Sequence, residues 1–196
     1  MSANKTNKEI KKRSVAERMF ACEFKDSMFT EKDGSDPKSP TYVITPLGLE
    51  VNRVFIVGVM SDKEHKADKD GNWYYRSTIT DGSGTWFISA NNYDREGLGQ
   101  MQLIDVTPEN PKVVAIIGKV SVNTTDEGKT YRQVRVESIV ESDMATRNMW
   151  VLETAKFTSE RLKAVRNNDV FKVGKYYGNV DTTKYEETIM TLLNSF

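Results

Sequence analysis

Apolar and polar positions alternate over a series of short stretches of this chain, and the spacing changes to sustained three- and four-residue steps towards the C-terminus. Residues 41–45 read as a short strand ended by Pro46 and Gly48. Residues 51–60, VNRVFIVGVM, read as a long strand with little contrast between its faces, and Gly58 in mid-strand marks a bend of the kind found at a barrel corner. Residues 73–80 and 85–90 are predicted strands joined by Asp81-Gly82-Ser83-Gly84, where glycine supplies the positive φ that a tight hairpin needs. A short helix is expected over 93–103, across one end of the sheet. Two more strands are expected, 112–122 and 130–139, around the loop NTTDEGK. The pattern therefore predicts five main strands with a helix between the third and fourth, the order of an oligonucleotide/oligosaccharide-binding (OB) barrel.

The flanks are less regular. Residues 1–13 carry five basic side chains against Glu9 and read as a disordered basic tail or an arm that touches phosphate. In residues 14–29, Val15, Met19 and Cys22 suit a helical face while Phe20, Cys22 and Phe24 suit a strand face, so periodicity leaves the choice open. Residues 30–40 and the charged stretch 61–71 read as loops. Residues 144–165 predict a long helix with Asp143 as its N-cap, 170–177 a strand or loop, and 182–196 a last helix with Tyr185, Ile189, Leu192 and Leu193 on one face. The expected organisation is a basic tail (1–13), an OB domain with an N-terminal extension (14–142) and a C-terminal helical extension for assembly (143–196).

Lys and Arg total 28 and Asp and Glu 28, so the net charge is zero. That counts against a duplex-DNA binder working through phosphate contacts alone, and less against a single-strand binder that relies on stacking. The single cysteine, Cys22, excludes an internal disulfide and a Cys-rich zinc site. No apolar run approaches the roughly 20 residues of a membrane span, the N-terminus lacks the apolar core of a secretory signal, and a cytoplasmic location is the expectation. His65, with Asp62, Glu64 and Asp68 nearby, reads as a solvated side chain rather than a metal ligand. No nucleophile–base pair, phosphate-binding glycine loop or metal-ligand spacing is present, and DGSG lacks the Gly-Lys-Ser/Thr end of a P-loop. Neither an enzyme nor a cofactor is expected, and no small-molecule substrate.

Binding chemistry is where the strands speak. Placing Ile79 and Ile88 inside the barrel turns Tyr74, Arg76 and Phe87 outward, on the second and third strands where OB folds hold bases. Trp73, at the start of the same strand, and Tyr131, at the rim of the last hairpin, are further stacking candidates. Arg53, Lys119 and Arg135 on outer strand faces are candidates for phosphate, and Arg132, on the other face from Gln133 and Arg135, is one only if it sits at the rim. The competing reading is that Tyr74 or Phe87 packs beneath the N-terminal segment and that the basic residues are merely solvated. On the long helix, Trp150, Phe157 and Leu162 belong to an apolar stripe longer than one barrel needs for cover. It is expected to meet partner subunits, or else the chain's own last helix.

Three separated blocks, TYVITPLGLEVNRVFIVGVM, DGSGTWFISANNY and SDMATRNMWVLETAKFTSERL, resemble the archaeal replication protein A associated family over roughly residues 15–162. The layout, a barrel followed by an assembly helix, also resembles the small middle subunit of eukaryotic replication protein A. The resemblance implies a single-OB subunit of a complex that binds single-stranded DNA in replication or repair, beside a larger single-strand-binding subunit. Two alternatives stay open: an OB adaptor that binds protein with little DNA contact, and an RNA-binding OB module.

Overall fold

The computed structural model describes residues 14–195, and the basic tail expected at 1–13 lies outside the described residues. The chain enters along the barrel wall. Glu17 N donates to Arg53 O (2.9 Å) and Phe55 N to Glu17 O (2.8 Å), a short extended contact that gives way to helix α1 (Ala21–Lys25). The segment that periodicity left undecided is thus extended first and helical second, because both its apolar sets are used. Phe20 meets Trp150 edge-on at 5.7 Å, and Phe24 stacks on Trp86 at 5.0 Å.

Three short antiparallel strands follow, β1 (Phe29–Lys32), β2 (Thr41–Ile44) and β3 (Glu50–Val51). β1 takes its last three residues from the stretch expected to be loop. The predicted strand 51–60 breaks at Asn52, because β3 pairs with β2 while β4 (Arg53–Met60) belongs to the barrel. Asn52 stands between the two sheets and donates from Nδ2 to Thr41 O at 2.6 Å.

The remaining strands are β5 (Glu64–Ala67), β6 (Trp73–Thr80), β7 (Thr85–Ala90), β8 (Lys112–Thr124) and β9 (Thr130–Glu141), with helix α2 (Arg95–Leu103) between β7 and β8. Their order in the sheet is β4–β8–β9–β7–β6–β5, and the end of β4 returns to β6 through Val59↔Thr80 and Met60↔Ile79. That return closes the barrel. All barrel pairs are antiparallel except β7–β9, where Ile88 faces Val134. Five closing strands, with the helix between the third and fourth, make this an OB barrel. Gly58 sits where β4 changes neighbours: a Cβ there would lie 2.6 Å from Thr80 O, so no larger residue fits the crossing. Gly97 does the same for α2, whose backbone lies against Val136 O. Val54, Ile56, Met60, Ile79, Trp86, Ile88, Val134 and Val136 fill the interior; each large apolar side chain buried this way contributes about 1.5–3 kcal/mol.

β5 corrects the sequence reading of 61–71 as loop. Its charged side chains hide a strand that pairs with β6 beyond the barrel, from Glu64↔Arg76 to Ala67↔Trp73. His65 is not simply solvated: its ring stacks on Tyr75 (4.4 Å) and tilts against Trp73 (4.6 Å). Among the described residues no group of metal-ligating side chains forms.

The DGSG turn does more than reverse the chain. Asp81 is fully buried. Its Oδ1 accepts from Ser83 N (2.8 Å) and Gly84 N (3.2 Å), and its Oδ2 accepts from Ala21 N (2.8 Å) and Trp86 Nε1 (2.9 Å). One carboxylate thereby ties the turn, a core tryptophan and the start of α1.

Helix α3 (Met144–Arg166) begins at Asp143, whose Oδ1 accepts from Thr146 N at 2.7 Å as an N-cap should. It crosses the outside of β4, with Trp150 Nε1 donating to Phe55 O at 2.9 Å. Buried Glu23 joins α1 to β2 and α3: it accepts from Thr45 Oγ1, just past β2 (2.7 Å), and pairs with Arg161 of α3 (2.6 Å). The stretch read as strand or loop is helix α4 (Phe171–Tyr176), anchored by Val173 in the core and by the Tyr177 hydroxyl, which donates to Ile44 O at 2.6 Å. Helix α5 (Thr183–Leu193) then packs on α3 through Tyr185, Ile189 and Leu192. No helix among the described residues is long and apolar enough to cross a membrane.

Candidate nucleic-acid interface

Strand alternation decides which side chains leave the barrel. Ser77 and Ile79 of β6 and Trp86, Ile88 and Ala90 of β7 are buried. Thr78 and Arg76 therefore point outward, and so does Phe87, the register partner of Thr78; Ser89, opposite Arg76, is buried beneath Gln133, whose Nε2 donates to its hydroxyl. Ser89 aligns in turn with Arg135 on β9, whose outward neighbours are Gln133 and Tyr131. The outcome is one open face built by β6, β7 and β9.

A cleft of about 640 Å³ runs along this face. Phe87 and Tyr131 line it and are 59% and 60% exposed, so Phe87 does not pack beneath the N-terminal segment. Phe24 and Lys25 of α1 form one wall, and Arg76 and Arg132 bring guanidinium groups. Arg132 points with Val134, as alternation requires, yet reaches the rim. There its Nε donates to Ser27 O at 2.7 Å, which fixes both the side chain and the end of the N-terminal segment. Asp62 shapes the opposite edge by accepting from Thr78 N at 2.9 Å. Arg76 pairs with Glu64 at 2.6 Å; Lys66 and then Arg76 hold the Glu64 carboxyl below the usual carboxylate range. A phosphate would have to compete with that carboxylate for a half-exposed guanidinium, a weak exchange in water.

The structure divides the sequence-derived candidates. Arg76, Phe87, Tyr131 and Arg132 line this first cleft. Trp73 and Tyr74 line a second cleft, of about 540 Å³, where the β5–β6 hairpin overhangs the end of β7. Arg135 stands beside that one, paired with Asp94 (2.9 Å) and 5.8 Å from the Tyr93 ring centroid. Lys119 is exposed on β8, and no ion pair is found for it among the described residues. Arg53 lies one strand farther, in register with Lys119, largely buried and bound to Glu137 (2.6 Å) and Ser14 O (2.9 Å). Neither of these two lines the first or the second cleft. Of the α3 candidates, Trp150 and Leu162 lie inside the chain's own core, and Phe157 is on the surface with Met149 and Leu152. Lys25 and Tyr93 were not singled out from the sequence. Tyr93 could have been, as an aromatic in the polar run Asn91-Asn92-Tyr93-Asp94; nothing local marks Lys25, which the docking of α1 delivers.

No protein-family model and no curated protein matches the sequence. Among solved structures, the chain is similar to a replication protein A heterotrimer bound to ssDNA, at 13% identity and TM-score 0.49, over 76% of this chain and 98% of that one. It is similar to the mitochondrial single-stranded DNA binding protein Rim1 of S. cerevisiae at 12% identity and TM-score 0.36, over 45% of this chain and 92% of that one. A Plasmodium falciparum SSB in complex with ssDNA matches at 10% identity and TM-score 0.37, over 47% of this chain and 96% of that one. The fold assignment rests on the strand order of the barrel itself.

Proposed function

We propose that this chain binds single-stranded DNA across the outward faces of β6, β7 and β9, as a subunit of a replication protein A-like complex acting in replication and repair. The observation that carries the reading is the first cleft, where two exposed rings, Phe87 and Tyr131, stand with Arg76, Arg132 and Lys25. Rings held outward on a rigid sheet suit base stacking, worth roughly 1–3 kcal/mol per base and tolerant of sequence. The three basic groups suit the backbone; so few phosphate contacts imply a shallow salt dependence, and the neutral whole chain adds little long-range attraction. The resemblance of the three sequence blocks to the archaeal replication protein A associated family supports the complex and its role. Titrating a fluorescent oligo-dT with the protein at low and high salt tests the binding. Anisotropy should rise at low salt and the affinity should fall as salt increases.

One observation favours a protein adaptor instead: Arg53, Arg76 and Arg135 are already ion-paired. An oligo-dT titration that stays flat at low salt and high micromolar protein selects that reading. On either one, the exposed part of α3 is the surface proposed for a larger subunit, through Met149, Leu152 and Phe157. Sizing with light scattering should show a complex with such a subunit that Phe157→Asp disrupts; a complex indifferent to that change rules this surface out.

A further inference from the structure

The second cleft has a different chemistry from the first. Trp73, Tyr74 and Tyr93 line it, and Tyr93 is 84% exposed. No Lys or Arg lines it, while Asp68 and Asp70 do, so a phosphate would meet charge of its own sign there. Asp68 is occupied: its Oδ1 accepts from Asn72 N (2.8 Å) and Asp70 N (2.9 Å) and its Oδ2 from Asn72 Nδ2 (3.2 Å), and these bonds, the Asn72 backbone foremost, hold its carboxyl below the usual range. The Asp70 carboxylate and the Asn92 amide make no hydrogen bond or ion pair among the described residues. Such a place suits a flat, uncharged group with a hydrogen-bond donor on its edge. Gln133 borders both clefts. At about 3.3 Å per strand residue the path from Phe87 to Asn91 is roughly 13 Å, so a strand stacked on Phe87 continues into the second cleft.

We propose that the second cleft is a base-reading subsite, in which a base stacks on Tyr93 and Tyr74 and its exocyclic amino group donates to the Asp70 carboxylate. The inference rests on the single-stranded nucleic-acid reading above and gives it a sequence preference. A carboxylate accepts from cytosine N4, whereas thymine offers a carbonyl oxygen at that position. Cytosine and thymine have similar ring faces, so comparing them isolates the edge contact.

The test measures anisotropy of oligo-dC and oligo-dT of about 16 nucleotides, a full site for one OB fold, with the full chain at mildly alkaline pH, where oligo-dC stays single-stranded. The wild type should bind oligo-dC about fivefold or more tightly than oligo-dT. Asp70→Asn should bring that ratio close to one, and Tyr93→Ala should weaken both oligonucleotides and reduce the ratio. Phe87→Ala should weaken both and keep it. Asp70 and Tyr93 are exposed, and circular dichroism confirms that their variants fold. A wild type that binds both oligonucleotides within about twofold of each other, or a ratio that survives both Asp70→Asn and Tyr93→Ala, overturns the subsite and leaves the binding face standing. A wild type that binds neither oligonucleotide at low salt overturns the nucleic-acid reading and the subsite with it.

Discussion

Asp81→Ala should be among the most damaging single changes on the barrel. It leaves two buried donors, Ala21 N and Trp86 Nε1, without an acceptor, and each orphan costs about 1–3 kcal/mol. A loss of roughly 2–6 kcal/mol is a large part of the 5–15 kcal/mol that holds a typical domain together. Thermal melting should show it as a fall in Tm of roughly 5–20 °C. Asp81→Asn keeps one acceptor oxygen and should fall between the two. A melting curve for Asp81→Ala that overlays the wild type would show that the carboxylate is not what ties α1 to the turn. The effect reaches function through packing, since Phe24 and Lys25, which wall the first cleft, hang from the same anchor.

Phe87→Ala should weaken oligo-dT binding by roughly 1–3 kcal/mol, the worth of one stacked base. Stability should change by no more than about 0.5 kcal/mol, because the side chain is an exposed surface group that leaves no buried partner behind. Anisotropy and melting on the same preparation separate the two effects. An affinity unchanged by the substitution would remove Phe87 from the interface, and a large drop in Tm would give it a packing role that its exposure argues against.

The alternation of residues in β6 and β7 and the DGSG turn made the centre of the barrel legible in the sequence, because each face of those strands has one environment. Gly58 was legible for a related reason: a glycine in mid-strand has few uses, and the close crossing over Thr80 is one of them. The rest depended on contacts far apart in the chain. Arg53 looked like any outward cation until the fold brought Glu137 to it across 84 positions. Trp150 and Leu162 gave an apolar stripe, but only tertiary structure could show that β4 and α5 cover it. β5 escaped notice because its side chains are charged and exposed, so no hydrophobic alternation marks it. Arg132 was placed correctly by parity, yet its reach to Ser27 needed the end of α1 in position. The candidate site was therefore half visible: the stacking rings follow from strand parity, while its α1 wall, its acidic edge and the second cleft follow from how loops and the N-terminal segment dock.

The face built by β6, β7 and β9 can be mapped directly by ultraviolet cross-linking of the full chain to an oligo-dT, followed by mass spectrometry of the adducted peptides. The account predicts cross-links on peptides containing Phe87 and Tyr131, lost when unlabelled oligo-dT is added in excess. Cross-links confined to α3, or to β8 and the Arg53 side of the barrel, would contradict it.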